Sequence, residues 1–193
     1  SYAELNQKER AINWLRSALN KLGRADAEIL NLQGNYYGEL GDHEREEKLY
    51  READRATTTW GGPFFNLALS FYNRGKYKEA TETIEQAIKK EHRQGPYLTL
   101  KARCLDKSEP EKSHKLIYQQ AIKAFGAASK LSEWELGWYL TAAQAVGDSK
   151  AIKEAEEERK KRNKRGIAEV DEDAVLPVVK GGLVLRKKAI FDI

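Results

Sequence analysis

Residues 61–92, GGPFFNLALSFYNRGKYKEATETIEQAIKKEH, are the stretch that decides the fold. They predict two amphipathic helices joined by a turn at residues 74–76, because apolar residues recur at helical spacing on each side of that turn. These residues are Phe64, Leu67, Ala68 and Phe71 in the first helix and Tyr77, Ala80, Ile84, Ala87 and Ile88 in the second. A single helical hairpin cannot bury both apolar stripes, so such hairpins occur in stacked arrays.

The neighbouring segments repeat this pattern with a period of 34 residues over three units. Small residues recur where helices must approach closely, and large residues recur where the space between layers must be filled. The matching columns are Leu30, Phe64 and Leu98; Gly34, Ala68 and Ala102; Tyr37, Phe71 and Leu105; Tyr50, Ile84 and Tyr118; and Ala53, Ala87 and Ala121. The repeat indicates three equivalent helical hairpins.

The period and the order of these residues resemble the tetratricopeptide repeat. The resemblance implies an all-α fold, a right-handed α-solenoid of helix-turn-helix repeats. The first unit departs from the pattern at Gln33 and Glu46, and the third departs at Lys101, Glu109 and His114. In the third unit Pro110 stands in the turn where the middle unit has Gly75.

We expect a helical repeat domain over residues 3–164 and a C-terminal tail over 165–193. The domain contains a leading helix at 3–22 and repeats at about 27–60, 61–94, 95–128 and 133–164. The fourth repeat follows the third at a spacing of 38, which predicts an insertion near 126–130. The leading helix resembles the second helix of an earlier unit, so we expect the chain to be a piece of a longer protein.

The tail changes in composition, from an acidic start to apolar residues around Gly181 and Gly182. This pattern predicts a short extended or β-hairpin tail. Such a hairpin is marginally stable alone, so we expect residues 174–191 to pack on the array or on a second copy of the chain.

The composition limits the classes of function. The chain has 193 residues and a net charge of +4, from 34 Lys and Arg against 30 Asp and Glu, with both signs mixed along it. Neither a membrane span nor a signal peptide is visible, so a cytoplasmic location is expected unless an export signal has been removed. The basic run KKRNKR at 160–165 is interpreted as a solvated cap of the last helix, and nucleic acid is not the expected partner.

No combination of residues predicts catalysis. The three histidines, His43, His92 and His114, fall in different repeats, and Cys104 is the only cysteine. We therefore predict a non-catalytic protein with no metal site and no cofactor.

The resemblance implies that the first helices of successive repeats line a concave groove that binds a peptide or a segment of another protein. We expect the exposed side of each first helix to point into this groove. The predicted groove residues are Asn31, Asn35, Phe65, Asn66, Leu69, Tyr72, Asn73, Thr99, Arg103 and Lys107. Asparagine suits this role because its amide both donates to and accepts from a peptide backbone. Related co-chaperones hold acidic C-terminal peptides with a clamp of cations, but Asn31, Pro96 and Leu100 stand at the cation positions here, so that clamp is not expected.

Two alternatives remain beside the scaffold that binds another protein. In the first, the leading helix or the tail joins two copies of the chain. In the second, the array binds RNA, which requires a continuous basic groove; Glu28, Glu39 and Asp106 disfavour it.

Overall fold

The computed structural model describes residues 2–91 and 95–164, and this part of the chain is entirely helical, with no strand. It contains nine α-helices and one short 3₁₀ helix. The helices are α1 (Tyr2–Leu22), α2 (Ala27–Glu39), α3 (His43–Arg55), α4 (Gly62–Asn73), α5 (Tyr77–Lys90), α6 (Gly95–Ser108), α7 (Lys115–Phe125), α8 (Glu133–Val146) and α9 (Ser149–Lys164), with the 3₁₀ helix at Ala128–Lys130. The predicted extended or β-hairpin tail lies outside the described residues.

The helices pair as hairpins and the hairpins stack. Helices α2 and α3, α4 and α5, α6 and α7, and α8 and α9 pack against each other in turn, and α3–α4, α5–α6 and α7–α8 join successive hairpins. The first helices of the hairpins also meet directly, α2 with α4, α4 with α6 and α6 with α8, while α1 packs on α2. The predicted all-α stack of helical hairpins is confirmed for the described residues.

The turns between paired helices follow from the residues that occupy them. Gly75, after α4, and Gly147, after α8, have φ of 75° and 72°, a backbone region that residues with a Cβ rarely adopt. The third hairpin lacks a turn glycine. Its helices are instead tied by Asp106 of α6, which accepts the Tyr118 hydroxyl of α7 at 2.7 Å and pairs with His114 Nδ1 at 2.9 Å.

Small residues allow the helices to approach closely, as the repeat pattern predicts. Ala68 and Ala102 are fully buried, and a Cβ added to Gly34 would lie 2.8 Å from the Tyr50 ring. The alanine column of the second helices, Ala53, Ala87 and Ala121, is also fully buried. The small residues of these columns lie where helices contact each other within and between hairpins.

The core is continuous along the array. Its largest cluster is centred on α4 and α5 and extends from Tyr50 of α3 to Trp138 of α8. Smaller clusters fill the α1–α2 junction, around Leu15 and Ile29, and the α8–α9 junction, around Leu136. Each hairpin therefore relies on its neighbours to cover its apolar surface.

The segment between α7 and α8 is where the sequence predicts an insertion. It contains the 3₁₀ helix and ends at Ser132, whose side chain accepts the Glu135 backbone N–H at 3.2 Å. The Glu135 carboxylate accepts the Ser132 N–H at 3.0 Å in return. This capping box fixes the start of α8 and hence the positions of Trp134 and Trp138, which lie two and six residues after Ser132.

Candidate partner-binding surface

The ten predicted groove residues lie on one side of the stack, which we call the first-helix face. It comprises the residues of α2, α4 and α6 named above, together with Trp134 and Trp138 of α8. The expectation that all ten are exposed is wrong. Asn31, Asn35, Phe65, Asn66, Leu69 and Thr99 are buried, Tyr72 and Arg103 are half-buried, and Asn73 and Lys107 are exposed.

The three buried asparagines bond to one another and to a tyrosine. The Asn66 Nδ2 of α4 donates to Asn31 Oδ1 at 3.0 Å and to Asn35 Oδ1 at 3.4 Å, both in α2. The Tyr50 hydroxyl of α3 donates to Asn35 Oδ1 at 2.8 Å. Burial raises the pKa of Tyr50 well above its ordinary value, with a smaller contribution from the charges of Glu46 and Glu39. These amides therefore join helices of the first and second hairpins.

The side-chain amide nitrogen of Asn35 donates to no acceptor among the described residues. This Nδ2 atom is buried. Buried amide donors normally find an acceptor, since leaving one unpaired costs about 1 to 3 kcal/mol. This Asn35 nitrogen lies within the polar cluster that Asn35 forms with Asn31, Asn66 and Tyr50.

Phe65 is buried by aromatic residues from two other helices. Its ring centroid lies 5.1 Å from that of Tyr97 in α6 and 5.7 and 5.5 Å from those of Trp134 and Trp138 in α8. The contacts with the tryptophans are edge-to-face, the favoured geometry for aromatic pairs. The middle of the first-helix face is therefore filled by the protein's own side chains.

The remaining two buried residues also have internal partners. The Thr99 hydroxyl donates to the Gly95 carbonyl at 2.9 Å within α6, and Leu69 belongs to the largest core cluster. Together with Phe65 and the asparagines, they stabilise the array from this side.

The accessible part of the face is built around Arg103. Its guanidinium carbon lies 4.7 Å from the centre of the Tyr72 ring and 5.7 Å from that of Trp138, and its Nη2 donates to the Tyr72 hydroxyl at 3.3 Å. Asn73 follows Tyr72 at the end of α4, and Lys107 lies one turn after Arg103 on α6. We call Tyr72, Asn73, Arg103 and Lys107 the Arg103 site.

Asp106 lies next to this site but is engaged elsewhere. Its carboxylate accepts the Tyr118 hydroxyl and pairs with His114, and these contacts hold the turn between α6 and α7. Burial and the hydrogen bond to Asp106 raise the pKa of Tyr118, so its hydroxyl stays protonated and keeps donating. Arg103 itself forms no ion pair within the described part of the chain.

In the basic run of α9, Arg162 has a structural role. Arg162 donates to the Leu131 carbonyl at 2.7 Å and to Glu158 at 2.9 Å. Arg159, just before the run, donates to Glu133 at 2.9 Å. These contacts tie α9 to the start of α8, in agreement with the interpretation of this segment as a cap.

Among the described residues, the requirements of a reactive cysteine, a metal site and a membrane span are not met. Burial raises the pKa of the Cys104 thiol to about 12, despite the opposing charge of Arg103, so this cysteine is a packing residue. No group of His, Cys, Asp and Glu within 2–91 and 95–164 is arranged to hold a metal ion. Of the helices described, none has the length and apolar character that a bilayer span requires.

The two tryptophans of α8 are the site residues that sequence reasoning did not place on this face. The signal was present in the spacing, because Asn66, Leu100 and Trp138 are equivalent when the third and fourth units are offset by 38 instead of 34 residues. That shared column predicts the position of Trp138 on the first-helix face, but it does not predict the contacts of Trp138 with Phe65 and Arg103.

Stacked helical hairpins whose first helices share one face define an α-solenoid, an architecture of adjacent repeats with an extended surface. The profile of the tetratricopeptide repeat matches residues 27–57 and 63–89, which contain the first two hairpins. Residues 27–57 and 63–89 are therefore tetratricopeptide repeats, and repeats of this kind make the chain a protein-interaction scaffold. The tetratricopeptide repeat family is typically non-catalytic.

Comparison with solved structures gives a distant likeness. The crystal structure of YrrB, described as a TPR protein with an unusual peptide-binding site, matches with a TM-score of 0.45 and 18% sequence identity, covering 82% of this chain and 78% of YrrB. No curated protein matches the chain in sequence. The family assignment rests on the two matched repeats.

Proposed function

We propose that the chain is a non-catalytic scaffold that binds a segment of another protein at the Arg103 site. In this proposal the hairpins form a right-handed superhelix, and the first-helix face is its concave side. The observation that supports the proposal best is the contact between Tyr72 of α4 and Arg103 of α6, which joins two hairpins at a half-buried position flanked by the exposed Asn73 and Lys107.

The buried part of the first-helix face supports this proposal indirectly. The asparagine cluster links α2 to α4, and the aromatic contacts of Phe65 link α4 to α6 and α8. Helices held in this way present Tyr72 and Arg103 in one geometry before a partner arrives. A preorganised surface loses less conformational entropy on binding, which favours affinity.

The chemistry of the site suits a polypeptide. Asn73 offers both a donor and an acceptor for a backbone, and Arg103 and Lys107 offer donors with positive charge. Tyr72, which is half-buried, adds flat apolar surface of the kind enriched at protein interfaces. The role of the ten predicted residues in binding is thus proposed for four of them, with the other six supporting the fold.

The test uses the full chain and peptides selected from a random library of eight-residue sequences. Dissociation constants are measured by fluorescence polarisation for Arg103→Ala with Lys107→Ala, and for a matched control with Lys78→Ala and Lys89→Ala. The control lysines are exposed on α5, a second helix, and removing them causes the same change in net charge. We expect the first pair to weaken binding by about 1 to 3 kcal/mol and the control pair to leave it within a few tenths. If the control pair of substitutions weakened peptide binding as much as the Arg103 and Lys107 pair, the proposal would be overturned.

A further inference from the structure

Within the described residues, two half-buried arginines have guanidinium groups that stack on aromatic rings, and they differ in one respect. Arg74 lies 4.9 Å from the centre of the Phe71 ring and donates to Glu47 at 2.8 Å. Arg103 lies 4.7 Å from the centre of the Tyr72 ring and 5.7 Å from that of Trp138 but has no carboxylate partner within the described residues. Arg103 therefore resembles Arg74 in its contact with an aromatic ring, but it has no carboxylate that corresponds to Glu47.

This difference matters because a partly desolvated cation needs compensation. Guanidinium has five N–H donors, and the hydroxyl of Tyr72 accepts from only one nitrogen of Arg103. Other half-buried arginines of this chain are compensated internally, Arg74 by Glu47 at 18% side-chain exposure and Arg162 by Glu158 at 20%. A neutral hydroxyl and two ring faces do not neutralise a charge.

From this comparison we infer that the Arg103 site recognises an acidic side chain, an Asp or Glu of the bound segment. The inference rests on the proposed function and specifies what the partner carries. The guanidinium keeps N–H donors that the Tyr72 hydroxyl does not use, and planar bidentate pairing with a carboxylate is the strongest arrangement for these two groups. Lys107, one turn away and exposed, adds attraction for the same anion.

The site differs in position from the clamp for acidic C-termini. Asn31, Pro96 and Leu100 occupy the cation positions of that clamp, whereas Arg103 lies in the column of Asn35 and Leu69. An internal acidic side chain can reach one arginine while the segment continues in both directions. The bound carboxylate is therefore assigned to a side chain and not to a chain end.

The test is a double-mutant cycle with the full chain. Each library-selected peptide is remade with Asn for Asp and Gln for Glu, and again with an amidated C-terminus. We expect the neutral peptide to bind about 10 to 100 times more weakly than the acidic one, Arg103→Gln to cause a similar loss, and the two changes together to add little more. Arg103→Lys should recover only part of the affinity, because a lysine lacks the planar fork.

Arg74→Gln is the matched control. It removes a stacked arginine of the same kind, but one already paired with Glu47 across α3 and α4. It should lower the melting temperature while leaving the acidic peptide's advantage over the neutral peptide unchanged. Loss of that advantage in Arg74→Gln would show a general effect of charge and would overturn the inference.

A direct measurement avoids any effect of Arg103 variants on folding. The Nε–Hε signal of Arg103 in the intact protein, followed by ¹⁵N NMR, should shift on addition of the acidic peptide and not of the neutral one. Three results would overturn the inference: equal shifts with both peptides, loss of affinity on C-terminal amidation alone, or a free-chain signal already at the bound position. If peptide binding instead depends on Lys78 and Lys89, the proposed function fails. That result is distinct from the three results that overturn only the inference.

Discussion

Asn66 illustrates what the residue scale adds to the sequence. Its position on a first helix was predictable from the repeat, but its partners, Asn31 and Asn35, lie more than 30 residues away and in another hairpin. Periodicity predicts the helix face on which a residue lies. It does not predict whether a neighbouring side chain forms hydrogen bonds with it. Three of the four asparagines that were predicted to contact a partner therefore form one hydrogen-bonded cluster.

The first prediction concerns this cluster. Replacing Asn66 by Ala should lower the free energy of unfolding by about 1 to 3 kcal/mol, because a buried pair of amide contacts is lost. Asn73→Ala, at an exposed position of the same helix, should change it by less than about 0.5 kcal/mol. Urea denaturation followed by circular dichroism measures both values. An Asn66 variant as stable as the Asn73 variant would contradict the buried cluster.

A second prediction follows from Cys104. Burial raises the pKa of its thiol from 9.0 to about 12, so the folded protein holds the proton over a range in which the unfolded chain releases it. The stability associated with this group is therefore complete below pH 9 and falls as the pH rises toward 12. A thiol reagent at pH 8 should label Cys104 slowly in the native protein and fast in urea. Fast native labelling would show that the thiol is exposed.

At the scale of the element, helix boundaries and hairpin pairing were largely predictable, because apolar spacing and turn glycines act locally. The leading helix and the helices of the middle repeat lie where the pattern places them. The third turn was attributed to Pro110, whereas Asp106, Tyr118 and His114 hold it through side-chain bonds. Such bonds join residues 8 and 12 apart and leave no periodic signal.

A third prediction uses two glycines in the interior of first helices. A Cβ at Gly34 would lie 2.8 Å from the rigid Tyr50 ring, while a Cβ at Gly137 would meet only the end of Arg159, at 3.5 Å. Gly34→Ala should therefore destabilise the protein by about 1 to 3 kcal/mol through overpacking. Gly137→Ala should stabilise it by about 0.5 to 1 kcal/mol, because alanine is the better helix former. Thermal melts of the two variants should shift in opposite directions, and shifts of the same sign would contradict this packing.

For the whole molecule, the repeat period predicted the stacked array, but it did not predict a contact across two repeats. Phe65 of the second hairpin reaches Trp134 and Trp138 of the fourth, although solenoid repeats are expected to contact only their neighbours. The equivalent positions in the third and fourth hairpins are Thr99 and Gly137, both small. The contact between these rings depends on the volumes of the side chains, which spacing alone does not reveal.

The fourth prediction concerns the tail, which lies outside the described residues. Nine apolar side chains between 174 and 191 lead us to propose that this segment packs on the array or on a second copy, since each buried side chain contributes roughly 1.5 to 3 kcal/mol at most. Backbone amide exchange of the intact protein should show protection in 174–191. Rapid exchange throughout this range, at concentrations where any dimer is formed, would contradict the proposal.

The central claim, that a partner segment binds at the Arg103 site, is tested most directly by site-specific photo-crosslinking in the full chain. A photoreactive phenylalanine analogue is placed at Asn73 or Lys107, and for comparison at Gln86 or Gln119 on the second helices, all four exposed. Peptides selected from the library should crosslink at positions 73 and 107, with competition by the unlabelled peptide. Crosslinks that instead form at 86 or 119, with none at 73 and 107, would contradict the claim.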